Sequence, residues 1–233
     1  VRTFVAFAAL AALLPISAHA QAYQCSIPGK IEIERAPRPD GPVRKVAVSR
    51  YVLAASWSPE FCRAERNRES MQCSGRNGRF GFVLHGLWPE ARTGQDPQWC
   101  AASPRPKPET IRRQLCMTPV PWLIEHEWAK HGSCMTKRPE TYFKVSTILW
   151  RSVVWPDADR LSRKPGLTAG DLREAFLAAN PAWKREQLGI ETNARGWLRG
   201  VRLCYSLRFK PMRCERDDFG VADDAELKIW RGL

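Results

Sequence analysis

Eight cysteines constrain this chain more than any other feature: Cys25, Cys62, Cys73, Cys100, Cys116, Cys134, Cys204 and Cys214. The residues before them read as an export leader. Arg2 is the only charge among the first twenty residues, Phe4 to Leu14 is apolar, and Ala18-His19-Ala20 has the small-x-small pattern of a signal-peptidase site. Residues 1–20 are therefore expected to be a signal peptide, cut before Gln21. The apolar run is shorter than the roughly 20 residues a membrane span needs, and no later stretch is long and apolar enough, so the mature form should carry no membrane anchor. An even cysteine count behind such a leader predicts four disulfides and an oxidising location, the periplasm or the extracellular space. No two cysteines stand at C-x-x-C spacing, which makes a zinc cluster a weak reading. Spacing alone leaves about 105 pairings open.

The 233 residues suffice for one sizeable core. Residues 21–46 form an extended N-terminal arm in this reading, and 47–233 one α+β domain. The stretch 26–50 is rich in Pro, Lys and Arg and is tethered by Cys25. Tyr51 to Trp57 reads as a buried strand, Phe80 to Leu84 as a second with HGLWPE at its end, and 101–109 as a proline-rich loop. Residues 62–73 bracket a loop of mixed, solvated charges. Trp122 to His131 reads as a helix stopped by Gly132, and Tyr142 to Val154 as another, ended by Trp155-Pro156. Thr168 with Asp171 three residues on signals a capped helix to Ala179. Residues 201–207 and 227–230 read as strands.

The formal net charge is +13, but residues 215–233 hold six acids and three bases, so the basic surplus lies upstream. A basic exported protein attracts polyanions: RNA, DNA, anionic lipid or acidic polysaccharide. Charge does not choose among them; the histidines do. Beyond the leader there are only three, His85, His126 and His131, confined to HGLWPE and HEWAKHG. On a helix, His126, Glu127, Lys130 and His131 fall within an arc of roughly 140°, with Trp128 pointing away. Histidines five apart with a lysine between do not suit the H-E-x-x-H zinc pattern, so neither a metal nor a cofactor is expected. Two imidazoles, a carboxylate and an ammonium can bind a phosphate, move protons and stabilise added negative charge. RNA carries its own nucleophile, the 2′-hydroxyl. A base must take its proton while an acid protonates the departing oxygen from the opposite side, and His85 on a separate segment is placed to face His131. DNA lacks that hydroxyl and should not be cut.

HGLWPE and EHEWAKHGSC, in this order and about 40 residues apart, resemble the two active-site motifs of the ribonuclease T2 family. YVLAASWSPEFC and ETYFKVSTILW are similar to its flanking segments, and the likeness is greatest to bacterial periplasmic, ribonuclease I-like members. The resemblance implies an α+β fold with an antiparallel sheet and an endoribonuclease acting on RNA through a 2′,3′-cyclic phosphate. It implies His131 as general base, His85 as general acid, His126 as phosphate ligand, and Glu127 and Lys130 as transition-state stabilisers. Trp88 and Glu90 fall where the family contacts the base, although Trp88 reads equally well as core. Trp57, Trp122 and Trp128 read as structural. The resemblance also implies Cys100–Cys134. Cys204–Cys214 and Cys62–Cys73 would each close a short loop, which leaves Cys25–Cys116. Nothing in the sequence requires more than a monomer.

Overall fold

The computed structural model describes residues 22–32, 36–92, 94–102 and 104–232, so the expected signal peptide lies outside the described residues. The strands are β1 (Ala22–Cys25), β2 (Arg50–Trp57), β3 (Gly78–Phe80), β4 (Phe82–Glu90), β5 (Leu188–Thr192) and β6 (Leu198–Ser206). The helices are α1 (Ser58–Phe61), α2 (Pro108–Gln114), α3 (Pro121–Glu127), α4 (Ser133–Met135), α5 (Pro139–Arg151), α6 (Ala158–Leu161), α7 (Ala169–Ala179) and α8 (Arg216–Phe219). Four strands make an antiparallel sheet in the order β4-β2-β6-β5, and β1 pairs with β3 in a separate ribbon.

The alternation of β2 sets the layers. Tyr51, Leu53, Ala55 and Trp57 enter the main core, where they meet Tyr142, Leu149 and Trp150 of α5 and Leu172 and Phe176 of α7. Val52 points to the other face and joins Cys204 and Cys214 in a smaller cluster against Trp88. One sheet face is thus covered by α5 and α7, while the other carries the Val52 cluster, on which Phe219 of α8 packs. Thr168 caps α7 as its sequence indicates: its hydroxyl accepts from Asp171 N at 3.3 Å, and its own N–H donates to Asp171 Oδ2 at 3.0 Å.

The four disulfides are Cys25–Cys116, Cys62–Cys73, Cys100–Cys134 and Cys204–Cys214, the pairs anticipated above, and they suit an oxidising compartment. No helix among the described residues is long and apolar enough to cross a membrane.

Several elements depart from expectation. The strand at 80–84 is broken at Gly81, and HGLWPE does not follow a strand: it forms the last six residues of β4. The loop at 101–109 ends early, because Pro108 starts α2, where its missing N–H costs nothing. Residues 227–230 form no strand. They are held by an isolated bridge from Trp197 to Lys228, with Leu198 N donating to Lys228 O at 2.8 Å. Gly132 does not stop its helix. After Glu127 the chain runs through one π turn, Trp128–Gly132, and continues into α4. A β-carbon on Gly132 would lie 2.5 Å from the Trp128 ring and 2.8 Å from the Tyr142 ring, so the bare glycine lets α5 pack against the turn.

Candidate active site

Two backbone irregularities build the site. The first is a β-bulge. Ala54 pairs with Gly86 and Ala55 with Leu84, leaving His85 as the extra residue of β4. Before the bulge, Phe82 and Leu84 enter the core; after it, Leu87 does. The inserted residue therefore reverses the strand's parity. Gly86, Trp88 and Glu90 come to the face that Val52 occupies on β2, and His85 stands at the switch with its side chain 37% exposed. Ser56 of β2 lies beneath it, Oγ 3.1 Å from His85 Nδ1.

The second irregularity is the π turn, a feature common at functional sites. Its wider ring alters the face that Lys130 and His131 present relative to a continuous α-helix. Trp99 N donates to Lys130 O at 2.8 Å, and Cys100–Cys134 ties the same two segments covalently.

Glu127 joins the two halves. Its carboxylate is buried, with Oε1 3.4 Å from His85 Nε2 and Oε2 4.0 Å from His131 Nε2. Trp88 Nε1 donates to Oε2 at 2.7 Å. Burial alone would raise the Glu127 pKa, but the charge and hydrogen bond of His85, then His131 and Trp88, hold it below the usual carboxylate value. Burial would lower His85, yet the charge and hydrogen bond of Glu127 prevail and raise it above 6.5. His131 goes the other way. Burial, aided by Lys130 and the other histidines against the pull of Glu127, lowers it to about 4. Two chemically identical side chains are thus separated into a proton donor and a proton acceptor over mildly acidic pH.

His126 is stacked on Trp122, centroids 4.7 Å apart, and meets the edge of Trp99 at 5.4 Å. Trp122, expected to be structural, is 40% exposed and forms one wall of this imidazole's niche. Trp57 and Trp128 are buried in the core. Trp88 stands between the paired histidines, its ring 5.3 Å from that of His85 and 5.6 Å from that of His131. Glu90 shares this face but is not brought to the histidines. Its buried carboxyl takes a 2.7 Å hydrogen bond from Arg50 Nε, and burial beside Asp218 pushes its pKa up. Ser56, Trp99 and Asp40 also belong to the neighbourhood. No motif marked Ser56 or Asp40, and a lone serine or aspartate carries no local signal of what a distant segment will bring to it.

Gly86 has a specific steric duty. A β-carbon there would lie 2.0 Å from Glu127 Oε2 and 3.0 Å from Trp88 Nε1. Gly86→Ala must push the carboxylate out of its bonds while leaving the strand intact, because the obstacle is a side-chain tip. Activity is expected to fall by about 10²-fold or more, the typical weight of one acid–base group, with little change in melting temperature. A variant that retains wild-type turnover would show that Glu127 need not be held in place.

On this disulfide-bonded α+β fold two histidines from separate elements are divided by a buried carboxylate, an arrangement chemically able to give and take protons. The ribonuclease T2 family model matches residues 48–158, which include both histidine segments. A probable ribonuclease of Haemophilus influenzae is 32% identical over 184 residues, covering 73% of this chain and 62% of that protein. Ribonuclease I of Escherichia coli is 30% identical over 179 residues, covering 60% and 66%. A ribonuclease of Aeromonas hydrophila is 42% identical over 99 residues, covering 42% and 43%; the chain thus spans less than two thirds of each of these relatives. Among solved structures, RNase NT in complex with 5′-AMP superposes with a TM-score of 0.61 at 18% identity, covering 79% of this chain and 98% of that one. The chain belongs to the ribonuclease T2 family.

Proposed function

We propose that this protein is a secreted endoribonuclease that cleaves RNA by 2′-hydroxyl transesterification without a metal ion. The observation that carries the reading is the shared contact of His85 and His131, from separate elements, with the buried carboxylate of Glu127. His131 takes the proton of the 2′-hydroxyl, whose oxygen attacks phosphorus. The bond from phosphorus to the 5′ oxygen breaks, and His85 gives that oxygen its proton. The products are a 2′,3′-cyclic phosphate and a free 5′-hydroxyl. Because the attacking oxygen belongs to the substrate, no water needs activation in this step and no metal ion is required to supply a hydroxide. Lys130 offsets charge on the pentacoordinate phosphorus, Glu127 keeps the two imidazoles oriented, and His126 binds phosphate. Trp88 offers an aromatic surface to a base, while Glu90 serves as support for Arg50. The named ribonucleases among its relatives and a 5′-AMP complex on the same fold support a nucleotide substrate. Export to the periplasm or beyond, removal of residues 1–20, the arm at 21–46, the catalytic unit at 47–233 and a monomeric state complete the proposal.

The test is incubation of the purified protein with RNA and with DNA in EDTA. Cyclic-phosphate ends on RNA and intact DNA are expected. Intact RNA would favour an inactive relative that only binds polyanions.

The pH dependence has a defined sign. Turnover requires His131 neutral and His85 protonated. The rate should therefore rise with pH through about 4, where His131 loses its proton, and fall above 6.5, where His85 loses its own. In Glu127→Gln the alkaline limb should move to lower pH, since the charge that raises His85 is gone. A profile without both limbs would contradict acid–base catalysis by this pair.

A further inference from the structure

The donors assigned to phosphate are already engaged by a carboxylate of the protein itself. Asp40 belongs to the N-terminal arm, outside the segment that matches the family model. Lys130 Nζ donates to its Oδ2 at 2.8 Å and Trp99 Nε1 to its Oδ1 at 3.1 Å, while His126 Nε2 stands 3.8 Å from Oδ2. We propose that Asp40 is an internal competitor for the phosphate-binding donors, and that a phosphate group binds by displacing it.

Three observations support this. The donor set is that of an oxyanion site: the Lys130 ammonium and His126 imidazole of one helical segment and the Trp99 indole N–H of another converge on one anion, and carboxylate and phosphate oxygens accept the same charge-assisted bonds. The carboxylate is also kept close. Arg44 and Gln98 exchange backbone hydrogen bonds at 2.9 and 3.1 Å, and Gln98 Nε2 donates to Pro42 O at 2.8 Å. A β-carbon on Gly41 would lie 2.7 Å from that amide nitrogen, so the arm needs a glycine to lie down beside it. This anchoring gives the carboxylate a high effective concentration at the site. Finally, the contact is displaceable. The Asp40 side chain is 49% exposed, and ion pairs this open to water are weak and screened by salt. Its hydrogen bond from Lys130 outweighs its slight burial and keeps its pKa low, so it stays ionised and competing.

The identity of the phosphate as RNA rests on the ribonuclease reading; the competition does not. Inorganic phosphate is therefore the first probe, with its affinity measured by calorimetry. Asp40→Asn keeps an acceptor for Trp99 but loses the charge, and should bind phosphate about three- to fivefold more tightly, the upper range for an ion pair of this exposure. Asp40→Glu, which keeps the charge, should remain near wild type. The KM for RNA should fall by a similar factor in Asp40→Asn at low salt, with the difference closing as salt rises. Equal or weaker phosphate binding in Asp40→Asn would overturn the proposal. So would a raised KM or a lowered kcat, which would make Asp40 a positioning residue for Lys130. A protein that cuts no RNA yet gains phosphate affinity in Asp40→Asn would sink the nuclease reading and leave this one standing.

Discussion

Alanine at either His85 or His131 is expected to lower RNA cleavage by about 10²–10⁴-fold while the protein stays folded. Neither ring is a keystone of packing. His85 is 37% exposed and meets its own sheet through Ser56 Oγ and the edge of the Trp88 ring, while the bulge that carries it is set by backbone pairing. The His131 side chain is 17% exposed, and its Nδ1 has no hydrogen-bond partner among the described residues. The turn beneath it is secured by Trp128, Tyr142 and the Cys100–Cys134 bridge. In the proposed reaction both rings act on one transition state, so the double variant should be scarcely worse than the poorer single one. Single-turnover cleavage of a defined RNA, with circular dichroism as a control, checks this. Activity within about tenfold of wild type in either single variant would remove that histidine from the proton-transfer role.

The largest effect on stability is expected far from the site, at Arg173. Its side chain has no exposure to solvent. The guanidinium donates to Leu188 O at 3.1 Å, to Phe219 O and Val221 O at 2.9 Å each, and to Asp223 Oδ1 at 2.6 Å, and it lies over the Phe219 ring at 3.9 Å. One residue of α7 thus ties β5, α8 and the acidic tail together. Arg173→Met keeps much of the volume but leaves three carbonyls without this donor and one carboxylate short of a partner. A loss of about 3–5 kcal/mol is expected, as for removal of one member of a buried charged network. Urea unfolding measures it, and a change below about 1 kcal/mol would show that water replaces the guanidinium freely. The kcat of the folded fraction should be little affected, since none of these contacts reaches the histidines.

The same tail shows how a charge pattern is read differently in sequence and in space. Six acids among the last residues look like a separate acidic end. In the fold, Asp218 pairs with Arg202 at 3.1 Å, Asp223 with Arg173 and Arg185, and Glu215 with Arg50. Much of it is the counter-charge of buried and half-buried arginines. Legibility followed locality in the rest of the molecule too. The α7 cap was readable because its partners are three residues apart, and the strand of β2 because its alternation is uninterrupted. The bulge at His85 and the π turn at Trp128 were not, because each depends on a neighbour supplied from elsewhere: β2 in one case, Tyr142 of α5 in the other. Trp122 was misread for a related reason, since an aromatic residue one turn before His126 looks like core until its outer face proves open.

By itself the sequence determined which groups are available for chemistry and roughly where: three histidines in two short segments, a carboxylate and an ammonium beside two of them, and enough cysteines to lock the chain. It also set the local elements whose signals lie within a few residues. Only the tertiary structure decided which proton each histidine can hold, because that depends on burial and on the distance to Glu127. It likewise decided that Asp40 would meet Lys130. Energies that fall steeply with separation are settled by contacts between distant parts of the chain, and no local pattern records those.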